Sequence, residues 1–199
     1  MGPVTIDTLS LKCGLTNPGG NSTASSLVEP LPSTTRPDKA AVSSGVVSVG
    51  DGVIPWGLEG STSATGLMLM FFGVGTNGQT FNANVYGWEE VLPPNTALGS
   101  GLWVPKPLVT LTGITINASI PGVLNTSVPA LVSAANQYFC SAITLNLGNT
   151  GISCEILSPG SGVAEIAHAV IDGKGARFIE VRVNMNSSAT SANALWKRM

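Results

Sequence analysis

The chain has 199 residues, only 10% of them charged, with a net charge of −2 and 43% hydrophobic residues. No basic cluster occurs beyond Lys197 and Arg198, which excludes the positive field that a phosphate backbone requires, so nucleic acid is not an expected partner. The longest apolar run, 67–74, is far short of the roughly 20 residues that cross a bilayer, so a soluble chain without a membrane partner is expected.

This length suffices for one sizeable core. A freely soluble monomer carries about 25% charged residues. So few ions, combined with a positive mean hydropathy and 24 Gly and 13 Pro, describe a surface that other molecules cover in use.

The opening, MGPVTIDTLS, has no basic stretch leading into an apolar one, so no signal peptide is expected. Gly2 is followed at position 6 by Ile6, where a myristoylation signal wants Ser or Thr. Residues 1–39 are rich in Pro, Gly, Ser and Thr, as in Asn17-Pro18-Gly19-Gly20 and Glu29-Pro30-Leu31-Pro32, and lack a sustained hydrophobic period. They read as an extended N-terminal arm.

A β domain is expected over 40–185. Its short runs alternate with turn signals: 46–49 before Asp51-Gly52, then 67–74 before Asn77-Gly78, then 79–91 alternating through Phe81, Ala83, Val85 and Gly87. Asn77-Gly78, whose residues both accept positive φ, predicts a tight hairpin joining the runs on either side. Further runs are 108–116, 138–147, 152–157, 163–171 and 176–185. If Gly148-Asn149-Thr150-Gly151 turns a second hairpin, Cys154 falls opposite about Leu145. In 176–185, Ile179, Val181, Val183 and Met185 share one face and Phe178, Glu180, Arg182 and Asn184 the other, the period of a half-buried antiparallel strand. No window shows a sustained helical stripe, although 128–137 and 189–197 each have room for a short helical turn or two. Residues 186–199 form a C-terminal tail. Eight or so short strands, Gly-rich turns and missing crossover helices predict an all-β fold, an antiparallel β-sandwich or jelly roll.

Several motifs have both a chemical and a packing reading. Gly73-x-Gly75-x-x-Gly78 matches the dinucleotide fingerprint in its letters, but that motif needs a helix after the glycines, and 79–91 alternates like a strand. His168 is the only histidine, which excludes a two-histidine metal site within one chain. It lies in Ala167-His168-Ala169-Val170, on the side of Ile166 and Val170, and reads as a structural or interface residue; its alternative role is protonation near pH 6 that loosens an interface. Glu89 and Glu90 are strand neighbours pointing to opposite faces, so they read as rim or salt-bridge residues rather than an acid pair. Cys13, Cys140 and Cys154 are odd in number and lack CxxC spacing, which speaks for reduced thiols rather than a disulfide framework or zinc site. The Asn-x-Ser/Thr sequons at Asn21, Asn117, Asn125 and Asn186 read as chance in so Asn-, Ser- and Thr-rich a chain.

The four tryptophans lie near Gly, Pro or the chain end. Trp56, Trp88 and Trp103 are candidates for core filler, sugar-stacking platforms or interface anchors. Trp196, beside Lys197, Arg198 and Met199, is read as an anchor docked on a neighbour. Interface residues are therefore expected among Trp196, Lys197, Arg198, Trp56, Trp103 and His168, with no catalytic residue, cofactor or metal.

The Gly-, Ser-, Thr- and Asn-rich β character resembles virion structural proteins of tailed bacteriophages, particularly small capsid decoration or cement proteins. The segment Ala176-Arg177-Phe178-Ile179-Glu180-Val181-Arg182-Val183 and the Ser-, Ala- and Asn-rich tail 186–199 carry that resemblance. It implies a jelly-roll or sandwich subunit without catalytic residues, made in the host cytoplasm. Such a subunit is commonly a homotrimer, binds the major capsid protein on the outside of the head and ties capsomers together. The long arm departs from a simple compact cap. A tail-fibre adhesin or carbohydrate-binding module is the alternative.

Overall fold

In the computed structural model, the residues described are 14–15, 30–34, 36–37, 49–56, 66–92, 101–121, 137–146, 154–173, 175–185 and 191–199. They form β1 (Gly14–Leu15), β2 (Val49–Pro55), β3 (Gly66–Val74), β4 (Thr80–Leu92), β5 (Leu102–Pro121), β6 (Gln137–Asn146), β7 (Cys154–Leu157), β8 (His168–Asp172), β9 (Phe178–Met185) and β10 (Ser191–Arg198). Every ladder is antiparallel, and no described residue is helical. The chain is all-β.

The strands follow the order β1-β10-β3-β6-β5-β4-β9-β2, with β8 branching from β3 and carrying β7. Not all of them are short: β4 has 13 residues and β5 has 20. β5 reaches that length by bending. At Gly113 the backbone turns to φ 59°, and its amide donates to Asn82 Oδ1 at 3.1 Å. The β4–β5 register shifts there, from Phe81 opposite Ile114 to Ala83 opposite Leu111. Such a bulge adds local twist, and a residue lacking Cβ takes the left-handed φ without strain.

The Asn77-Gly78 hairpin is not formed. The chain does turn, with Gly78 at φ 82° and the Gln79 amide donating to the Thr76 carbonyl at 3.2 Å. Yet β3 and β4 are separated by β6 and β5 in the ladder, so the turn is an arch between unpaired strands. Both edges of β3 are already taken. β10 pairs along Leu67–Val74 on one side, while β8 pairs along Gly66–Met70 and β6 along Phe72–Val74 on the other. The turn itself bonds to β5, the Gly78 amide donating to the Ile116 carbonyl at 2.9 Å and the Ile116 amide to the Gln79 carbonyl at 2.8 Å.

Three further expectations are corrected. Residues 191–198 are strand rather than helical turn, because Ala192, Ala194 and Trp196 alternate toward the core against β3. Cys154 lies opposite Ile171 of β8, not Leu145. The run expected at 163–171 becomes strand only from His168, its start being taken up by a turn in which the Val163 amide bonds to the Gly160 carbonyl. The tail to Met199, the Gly148–Gly151 turn, residues 128–136 and Cys13 divide accordingly: of these only 191–199 lies within the described residues.

Period-2 alternation decides which side chains enter the core. Leu67, Leu69 and Phe71 of β3 are buried with Phe81, Ala83 and Val85 of β4, and with Leu111, Ile114 and Ile116 of β5. The Phe71 and Phe81 rings meet edge to face, 6.0 Å between centroids, so strands not paired in the ladder touch across the core. Ile179 and Val181 of β9 join this core, as their spacing predicted, and Val183 packs against it. Phe81→Ala removes a fully buried ring at that crossing and is expected to lower stability by about 3–5 kcal/mol. Urea unfolding followed by tryptophan fluorescence measures it.

Candidate interaction surface

The sheet's outward faces hold the residues that packing of the main core does not use, and they differ from one another. On β4, β5 and β9 the outward positions form a second aromatic cluster of Trp88, Trp103 and Phe178, with Val53 packed against it. Trp103 and Phe178 meet edge to face at 5.4 Å. Part of the segment read as arm lies here: Ser33 exchanges backbone hydrogen bonds with Trp103 at 2.8 and 2.9 Å, Arg36 stands 5.5 Å from the Phe178 ring centroid, and Pro30 and Pro37 are buried. A guanidinium over an aromatic face gains from the ring quadrupole.

Inside this cluster Glu180 is 5% exposed. One of its carboxylate oxygens accepts from Trp88 Nε1 at 2.7 Å and the other from Arg182 Nε at 2.7 Å. A buried carboxylate is tolerated only when paired and hydrogen-bonded, and here it has both. Glu90 forms an ion pair with Arg177 at 3.3 Å, which fits its reading as a salt-bridge residue.

The opposite situation holds on β7, β8, β3 and β10. Ladder pairing sets their outward side chains in rows. One row runs Glu155, Val170, Met68, Lys197, and the next Leu157, His168, Met70, Leu195. These side chains are half-buried or exposed, Leu157 being 51% exposed. Phe72 and Phe139 close one end of this face under Ile120, Ile166 and Leu195. Between Glu155 and Lys197 the two rows are apolar apart from His168, and most of their side chains are half-buried rather than enclosed.

The expected interface residues divide between these environments. His168 and Lys197 lie on the open face, and Arg198 holds the ladder position opposite Leu67. Trp196 turns inward and packs against the main core of its own chain. Trp56, Trp88 and Trp103 are 6%, 4% and 6% exposed, so their rings are enclosed by the chain. Sequence reasoning missed Met68, Met70, Leu157, Leu195 and Glu155, the acid at one end of the first row. The available signal was the unbroken apolar run 67–74, which supplies both faces of β3 at once.

The glycine fingerprint precedes strand β4, so no helix N-terminus is present to hold a pyrophosphate. Among the described residues, no group of three His, Cys, Asp or Glu is placed to hold a metal ion. Cys140 and Cys154 are free thiols. Burial pushes Cys140 far above the usual thiol range and pushes Cys154 up to about 11. Compared with known proteins, the chain matches no family model, no curated protein and no solved structure.

Three outcomes follow from this chemistry. Arg182→Met strips the guanidinium from the buried Glu180 carboxylate and is expected to lower stability by about 2–4 kcal/mol. Trp88→Phe removes one neutral donor and is expected to cost less, about 1–3 kcal/mol, with urea midpoints giving both values. For the thiols, the unfolded groups ionise near ~8.5, below their folded values, so this source of stability is complete below that pH and is lost as pH rises toward the folded value of Cys154. Stability is expected to fall between pH 8.5 and 10.5 and to fall less in Cys154→Ala; equal slopes for the two proteins contradict the assignment.

Proposed function

We propose that this protein is a structural subunit of a tailed-phage virion, of the capsid decoration or cement type, which works by surface contact rather than by chemistry. It binds the outside of the head, contacts the major capsid protein and other copies of itself, and stabilises contacts between capsomers. The observation that carries this reading is the open apolar face of β3, β8 and β10 on a chain with only 10% charged residues. A sheet so poor in ions is suited to a setting where neighbouring protein replaces water.

The finer architecture belongs to the same proposal: a two-layer, jelly-roll-like sandwich. Its support is the arch at Asn77-Gly78 and the Phe71–Phe81 contact, since rings from strands separated in the ladder meet when a sheet folds over itself. The sugar-binding alternative is weaker on geometry. Stacking on a glycan needs an exposed ring face, and Trp56, Trp88 and Trp103 are enclosed.

A subunit that binds only the assembled lattice stabilises it by mass action, about 2.7 kcal/mol per site at a hundredfold excess over Kd. Phage heads assembled without the protein are expected to bind it saturably on co-sedimentation and to resist heating better once decorated. Deleting residues 1–29, which takes away the two-residue β1 but leaves Ser33 bonded to Trp103, is expected to weaken that binding while the core stays folded. A protein that ignores heads yet binds a glycan array refutes the proposal.

A further inference from the structure

The open face carries its own complement. In the row Glu155, Val170, Met68, Lys197 the acid stands at one margin, on β7, and the base at the other, on β10. Three strand spacings separate them, roughly 14 Å at about 4.8 Å each. Neither forms an ion pair among the described residues. Between them the row is apolar.

We propose that this face pairs with the same face of a second copy, about a two-fold axis that lies in the interface and runs along the strands between β8 and β3. This symmetry exchanges β7 with the other copy's β10 and β8 with its β3. Glu155 then stands over Lys197 of the second copy, and Lys197 over its Glu155. Val170 meets Met68, Leu157 meets Leu195 in the neighbouring row, and His168 meets Met70. Each contact is opposite in charge, apolar, or a histidine against a thioether, and each occurs twice, as an isologous interface requires. An axis running across the strands instead sets acidic margin against acidic margin and basic against basic, which repels. Sheets packed face to face stand about 10 Å apart, a distance that Met and Leu side chains fill from both sides.

This inference rests on reading the protein as a subunit that acts through surface contact, but its test needs no virion. Sedimentation equilibrium of the full-length protein is expected to give twice the 20.2 kDa chain mass. E155K and K197E each place like charges opposite one another and are expected to weaken the dimer at least ~10-fold, more so at low salt. The double variant E155K/K197E restores opposite charges at both contacts and is expected to return Kd to within about threefold of the parent. Circular dichroism of each variant checks that the fold is unchanged, since both positions lie outside the core.

A monomer at every accessible concentration overturns the proposal, because the face is then covered by the chain itself or by another partner. A trimer, as the phage resemblance implies, overturns it too, since a three-fold ring joins two different surfaces. Single reversals without effect, or a double variant no better than the weaker single one, overturn the assigned face. Loss of head binding with an intact dimer refutes the proposed function and leaves this pairing in place.

Discussion

The arrangement depends on the saturation of β3 by hydrogen bonds along both of its edges. β10 covers one edge and β8 with β6 the other, so the strand that follows in sequence has no place beside it. Backbone amides and carbonyls must find partners wherever they are buried, and β4 finds them in β5 and β9. The short link between β3 and β4 therefore becomes an arch, and the inward faces of both strands are brought into contact. From that constraint follow the edge-to-face contact of Phe71 and Phe81 and the outward placing of the half-buried Met68 and Met70.

The two outward faces respond differently to the same shortage of charge. Over β4, β5 and β9 the chain covers its own aromatic residues, using Ser33 to bridge Trp103 and Arg36 to cover Phe178. The carboxylate placed there is paired with Arg182 and accepts a hydrogen bond from Trp88. Over β7, β8, β3 and β10 the charges sit at the margins and the apolar side chains lie between. Covering by the chain suits a permanent part of the fold, whereas marginal charges around an apolar strip suit recognition, since exposed charges steer and select while apolar area supplies the attraction.

Most of the strands were legible in the sequence because alternation is a local property. The faces of β9 could be read residue by residue, Ile179 and Val181 inward with Phe178 and Glu180 outward, and the chain is all-β as those runs required. Pairing was not legible. Asn77-Gly78 encodes a turn, but whether that turn makes a hairpin or an arch depends on β10, which lies far along the chain, competing for the edge of β3. The same holds for the outward face of β7, β8, β3 and β10. Lys197 and His168 were singled out one at a time, but nothing local says that Glu155 shares a row with Lys197 through two intervening strands. The Glu180 pair was hidden for a related reason: its donor, Trp88, lies 92 residues away.

The late arrival of the partners of β3 also bears on how the protein is made. The apolar segment Leu67-Met68-Leu69-Met70-Phe71-Phe72 emerges from the ribosome well before β6, β8 and β10, and until they follow its edges have no strand to bond. Long-range pairing of this kind is slow to nucleate, and a waiting apolar strand is prone to aggregate. The nascent chain is thus most prone to misassociate during the interval in which that stretch waits for its partners.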